Sequence, residues 1–232
     1  ANEAAPVALD VAGMVEIKHQ FVDAAQRAER LGLDAIELHL AHGYLLNQFL
    51  SPLANHRTDF YGGSFDNRVR FPLEVFAAVR HAWPQHKPLG VRISATDWVE
   101  GGWTIDDSIA LAKRLHAAGC DWVDVSSGGI SPQQKIPLGP GYQVPLARAL
   151  RAATPMPTMA VGLITGAAQA EDIVASGDAD LVALARAMLW DPRWPWHAAA
   201  ELGAQIHAPR QYWRSAPRDA ASVIAHAKVG AR

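Results

Sequence analysis

With 232 residues, half of them hydrophobic, and a net charge of −2, the chain has the profile of one ordinary globular domain. Acidic and basic residues are interspersed, and no apolar segment approaches the ~20 residues of a membrane span, which argues against nucleic-acid and membrane partners. A single cysteine, Cys120, excludes an internal disulfide, a Cys-rich zinc site and an iron–sulfur cluster held by this chain alone, so a cytoplasmic setting is expected.

The opening ANEAAPVALDVAGM has neither the charged n-region nor the apolar h-region of a signal peptide. It also lacks an initiator Met, which points to a chain cut from something longer. From Met14 to Leu31 the residues Val15, Ile17, Phe21, Val22, Ala25 and Ala28 fall near helical spacing, and Gly32 follows as a stop. A short strand from about 34 to 39 comes next, and His39, His42 and Tyr44 fall where it ends. Two imidazoles three apart on a turn can point at one small polar atom, as donors to an oxygen or as ligands to a metal. A metal needs a third ligand, for which Glu37 and His56 are at hand; taken alone, such a pair is more often simply satisfied by backbone partners. The run Asp59 to Ser64 then makes a turn that leads into a helix.

The same grammar recurs along the chain. A helix ends on Gly, an Asp follows and a β-rich run begins, at Gly119 and Asp121 and again at Gly177 and Asp178. Thr104 with Asp107 opens a further helix as a weak relative of the capping box, and Gly166 to Ser176 forms another. Strands are expected at about 34 to 39, 88 to 94, 121 to 126, 157 to 162 and 180 to 185, alternating with helices in parallel βαβ units. A (β/α)₈ barrel needs eight strands and about 250 residues. In such a barrel the C-terminal strand ends share one rim, which here gathers His39, His42, Tyr44, Arg92, Ser126 to Gly129, Gly162, Leu163, Ala185 and Arg186. A Trp-rich helix (Trp190, Trp194, Trp196) and a tail, 206–232, complete the single domain 1–232, whose barrel part spans 14–205.

The run His39-x-x-His42-x-Tyr44, Phe49-Leu50-Ser51-Pro52, Asn55-x-Arg57-x-Asp59-x-Tyr61-Gly62-Gly63-Ser64 and Asn67-Arg68-x-Arg70-Phe71 resembles the Old Yellow Enzyme family of FMN-dependent ene-reductases, most of all its xenobiotic-reductase branch. The likeness continues through Val91 to Ser94, Val125 to Gly129, Pro140 to Val144, Val161-Gly162 and Ala185-Arg186. It implies an α/β fold, the (β/α)₈ TIM barrel, of which this chain holds about the last five βα units, the first three lying before Ala1. An arc of that kind is expected to expose a wide apolar face, and the chain alone to bind FMN weakly. The alternative is a complete, open five-stranded α/β sheet.

What the resemblance implies for the residues is specific. His39 and His42 would hold the carbonyl or nitro oxygen of an enone, enal, nitroalkene or quinone, and Tyr44 would protonate the α-carbon. Arg92 would lie beside the pyrimidine edge of the flavin, while Gly162, Leu163, Ala185 and Arg186 would form its phosphate end. Ala185 replaces the family's usual glycine. NADPH, ahead of NADH, would be the hydride donor. Trp213 or Arg214 in the tail would reach a neighbouring subunit's site, in a homodimer or homotetramer at full length. Cys120 matches no flavin-facing position and reads as a small buried hydrophobe. Two rivals stand beside this reading: a metal-dependent barrel hydrolase or aldolase using His39 and His42, and a catalytically incompetent barrel fragment.

Overall fold

The structure, a computed structural model, describes residues 7–225. The expected strands are present as β1 Ile36–Leu40, β2 Leu89–Ser94, β3 Trp122–Ser126, β4 Thr158–Ala160 and β5 Leu181–Val182, all parallel and paired strictly in chain order. That order, without a point where it reverses, is the order of a (β/α)₈ barrel and not of a doubly wound sheet. Among the described residues eight α-helices precede, separate or follow the strands: α1 Val11–Arg30, α2 Leu45–Leu50, α3 Phe65–Ala82, α4 Ile105–Ala117, α5 Val144–Ala153, α6 Ala167–Ala175, α7 Arg186–Trp190 and α8 Trp194–Glu201. Among the described residues no helix is long and apolar enough to cross a membrane.

Local chemistry sets the boundaries. Asp10 caps α1 by accepting from Gly13 N–H, and Ser64 caps α3 by accepting from Asn67 N–H. At α4 the Thr104 and Asp107 pair closes a full reciprocal capping box, stronger than its sequence suggests. The recurring Gly–Asp grammar also has a physical cause. Gly119 stops α4 in the left-handed conformation at φ +87°, and the Asp121 carboxylate then accepts the N–H of Leu89 at 2.8 Å on the neighbouring strand. Asp180 repeats this by accepting the N–H of Thr158 at 2.9 Å. The Trp-rich helix is in fact two, because Asp191 precedes a proline and takes an extended conformation between α7 and α8. Strand β5 is shorter than expected; Ala183 N–H still donates to Ala160, and the chain then turns toward α7.

The two faces of the sheet differ. Leu38, Leu40, Leu89, Val91, Ile93, Val123, Val125 and Ala160 point one way and are buried under the helices. On the other face Glu37, His39, Arg92, Trp122, Asp124, Met159 and Leu181 sit side by side in register. The expected wide apolar face is therefore largely polar. Polar groups pair laterally across the strands: Trp122 Nε1 donates to Glu37 Oε2 at 3.1 Å, and Arg92 Nε lies 3.4 Å from Asp124 Oδ2. Cys120 is buried as expected, its thiol pushed up to about 12 by desolvation.

The motif between Ser51 and Arg70 is mostly scaffold. Asn55 donates to the carbonyls of Phe49 and Tyr61, both at 2.7 Å, and accepts from Arg57 N–H at 3.1 Å. Arg68 donates to Leu50 O and Arg70 to Phe60 O, at 2.8 Å each. These side chains satisfy backbone carbonyls that a loop of this length would otherwise bury unpaired. Asn55→Ala, which strands buried carbonyls, is expected to cost about 3 kcal/mol in urea unfolding. Asp59→Ala, which removes an exposed ion pair with Arg57, is expected to cost under about 1 kcal/mol. Equal losses for the two variants would contradict this division.

Candidate active site

At the C-terminal end of β1 the three rings singled out by sequence come together. The His39 ring centroid lies 5.1 Å from that of His42 and 5.4 Å from that of Tyr44. Tyr44 is exposed and begins α2, whereas His42 is half-buried. His42 has φ +60°, a conformation that non-glycine residues seldom adopt and that is usually enforced by its surroundings.

Two serines supply part of that enforcement. Ser94 and Ser126, adjacent in register at the ends of β2 and β3, both reach His42. The His42 backbone N–H donates to Ser94 Oγ at 2.9 Å, and Ser94 in turn donates to Gly128 O at 2.7 Å. The ring Nε2 is 2.6 Å from Ser126 Oγ. The loops carrying these groups pass in backbone contact: a Cβ on Gly129 would lie 2.6 Å from His42 Cα, and one on Gly43 would lie 2.4 Å from Gly129 O. Glycine is required at both positions for the loops to meet. Behind the serines, Gln143 takes the Ser127 hydroxyl at 2.5 Å and donates its amide to Val161 O at 2.9 Å, so the ends of β3 and β4 are tied together.

A cleft of about 360 Å³ opens beside this cluster. Its walls include Arg92, Ser126, Tyr142, Gln143, Gly162, Leu163, Ala185 and Arg186. All five residues expected to bind cofactor therefore share one cavity. Gly162 has φ +118°, and a Cβ there would lie 2.7 Å from Gln143 Nε2. Leu163 follows with φ +52°. Ala185 has φ −105°, so its backbone makes no demand for the glycine usual in the resembling family. Trp213 and Arg214 do not line this cleft; the Trp213 indole donates to Ala208 O at 2.9 Å within the tail itself. Ser94, Tyr142 and Gln143 are the site residues that sequence reasoning did not single out, and Ser126, placed on the rim by sequence, had no partner assigned to it. Serines directly at the ends of parallel strands were the available signal.

The electrostatics follow from burial. His42 is pushed down to about 4 by desolvation first, then by the positive Arg92 and by His39. His39 is lowered by the same causes, with a hydrogen bond to the backbone of Ala41 working the other way. Asp124 is raised to about 7 by burial, against the pull of Arg92. Arg92 Nε and Asp124 Oδ1 are both buried and lack hydrogen-bond partners. An orphaned guanidinium nitrogen on a residue lining the cleft, together with a glycine at its wall, suits a planar group with anionic or carbonyl edges. For a metal the donor set is poor: among the described residues no three His, Cys, Asp or Glu side chains come into ligating positions.

The signs of these shifts oppose each other. Folded Asp124 keeps a proton that the unfolded chain releases, so its contribution to stability falls as pH rises from about 4 to 7. Folded His42 resists a proton that the unfolded chain binds, so its contribution is lost as pH falls from 6.5 to about 4. Asp124→Asn removes the first effect alone. Its stability relative to the parent protein should rise between pH 5 and pH 8 by on the order of 2 kcal/mol in urea unfolding. A difference independent of pH would show that Asp124 titrates normally.

Comparison with known proteins shows the family and the fold. Residues 2–205 match the NADH:flavin oxidoreductase / NADH oxidase family, an FMN family. The NADPH dehydrogenase of Geobacillus thermodenitrificans is 49% identical over 215 residues, which is 92% of this chain and 62% of the relative. That of Bacillus subtilis is 44% identical over 213 residues, again 92% of this chain and 62% of the relative. The chain thus spans about three-fifths of the length of these relatives. Among solved structures, morphinone reductase superposes with a TM-score of 0.71 at 30% identity, covering 89% of this chain and 54% of that one. A 2-naphthoyl-CoA reductase superposes with a TM-score of 0.78 at 29% identity, covering 85% of this chain and 30% of that one. The five βα units are accordingly part of a (β/α)₈ barrel, and the chain belongs to the NADH:flavin oxidoreductase / NADH oxidase family, the Old Yellow Enzyme group that its sequence resembles.

Proposed function

We propose that this chain forms the reacting rim of an FMN-dependent NAD(P)H oxidoreductase that reduces activated C=C bonds in enones, nitroalkenes or quinones. The observation that carries the reading is the ring cluster of His39, His42 and Tyr44 beside a cleft walled by Arg92, Gly162, Leu163, Ala185 and Arg186. Bound FMN would supply hydride chemistry, taking hydride from NADPH, ahead of NADH, and delivering it to the substrate's β-carbon.

The protein's own part is binding and proton handling. Arg92 lies next to His39 in register, and its guanidinium, only loosely paired with Asp124, would face the pyrimidine end of the ring. Gly162 and Leu163 would bring backbone close to the phosphate end, where the exposed Arg186 would supply charge. His39 and His42, held neutral by burial, donate hydrogen bonds to the substrate oxygen and stabilise the negative charge that develops there. Tyr44, exposed at the rim, gives its phenolic proton to the α-carbon. A dimer or tetramer in which the exposed Arg214 completes a neighbour's pocket belongs to the same reading; Trp213, packed on its own tail, fits that role less well.

The test separates the two half-reactions in FMN-loaded protein. Tyr44→Phe should slow reduction of an enone by about 10²-fold or more while leaving NADPH-driven flavin reduction within about twofold. A variant that reduces the enone at the parent rate, or that slows both halves equally, would remove Tyr44 from the proton-donor role.

A further inference from the structure

The hydrogen-bond network behind His42 determines which of its ring nitrogens carries the proton. This inference deepens the reading above and rests on it for its functional meaning, though not for its geometry. A neutral imidazole has one N–H, and the nitrogen that bears it is set by the partner of the other. Desolvation and the neighbouring Arg92 keep His42 neutral, so an oxygen that meets this ring at Nδ1, the nitrogen not engaged by Ser126, gains a donor only if Nδ1 is the protonated one.

Two arrangements are open to the contact of 2.6 Å between His42 Nε2 and Ser126 Oγ. In the first the serine donates to Nε2, leaving the proton on Nδ1. In the second Nε2–H donates to the serine, which passes its own proton to Gln143 Oε1. The distances separate them. Ser126 Oγ is 3.3 Å from Gln143 Oε1, long for a hydroxyl donor and far longer than its 2.6 Å contact with His42 Nε2, while the close donor to that oxygen is Ser127 Oγ at 2.5 Å. The Gln143 amide cannot turn to offer a donor, because its nitrogen is engaged by Val161 O at 2.9 Å. Ser126 therefore has one good acceptor, His42 Nε2. The residue is only 4% exposed, so its hydroxyl has little access to water.

We infer that Ser126, oriented by Ser127 and Gln143, is a positioning residue that fixes His42 as its Nδ1–H tautomer and so makes the ring a standing hydrogen-bond donor toward the substrate oxygen. Ser94 does the complementary task by holding the His42 backbone N–H, so that the ring's place and its proton are set by neighbouring strand ends.

The test is a long-range ¹H–¹⁵N correlation spectrum of this chain with ¹⁵N-labelled histidine near neutral pH, with the His42 signals assigned by their loss in His42→Gln. Flavin is not required, so the outcome is independent of whether the chain binds FMN. The expected spectrum has Nδ1 in the protonated range and Nε2 in the unprotonated range. Ser126→Ala should move the population toward Nε2–H by at least tenfold, and Ser126→Thr, which keeps the hydroxyl, should hold the parent pattern. A parent spectrum with Nε2 protonated would overturn the inference, as would an unchanged tautomer in a folded Ser126→Ala protein. Should Ser126→Ala fail to fold, the parent and Ser126→Thr spectra decide the matter by themselves.

Discussion

Everything at the rim depends on one close approach, that of the loop after β1 to the loop after β3. The contact is backbone to backbone, at His42–Gly43 against Gly129–Ile130, and it exists only because side chains are missing at Gly43 and Gly129. Once the loops touch, the hydroxyls of Ser94 and Ser126 come within reach of a residue 52 and 84 positions earlier in the chain. His42 is then held in a left-handed conformation that its own preferences oppose. Its ring, the His39 ring beside it and Tyr44 after it take their mutual spacing from that anchor.

Much of this was legible in the sequence. The parallel alternation, the strand positions and the grouping of His39, His42, Tyr44, Arg92, Gly162 and Arg186 at one end all follow from periodicity plus a long ordered motif. What was hidden arises from register. Nothing local in Ser94, Ser126 or Gln143 marks them as partners of a histidine; they become so because β2 and β3 align Ser94 with Ser126 and because Gln143 returns from the end of the β3 loop. The polar character of the inner face was missed for a related reason. Arg92 and Asp124 are separated in sequence and read as unrelated charges, yet the strand pairing sets them side by side. In the same way, much of the motif from Asn55 to Arg70 reads as function and proves to be carbonyl satisfaction.

The buried pair Arg92–Asp124 shows how the site holds a cation ready. Burial works against the Asp124 charge strongly enough to raise it to about 7, so the carboxylate compensates Arg92 only in part near neutrality. An arginine whose Nε is buried without a hydrogen bond and only loosely paired at 3.4 Å, and whose side chain lines the cleft, keeps donor capacity for an acceptor entering it. The fold thus carries at one rim an unsatisfied donor, a glycine wall and neutral imidazoles, which together suit a flavin ring and the oxygen of its substrate.

The most direct measurement of that claim is a titration of FMN into this chain and into Gly162→Ala, read by quenching of flavin fluorescence. If the flavin lies in the cleft between the ends of β4 and β5, the parent chain will quench weakly but saturably, and the added methyl, facing Gln143 Nε2 at 2.7 Å, will weaken binding at least tenfold. Saturable quenching that is identical in both proteins would place the flavin elsewhere and contradict the account.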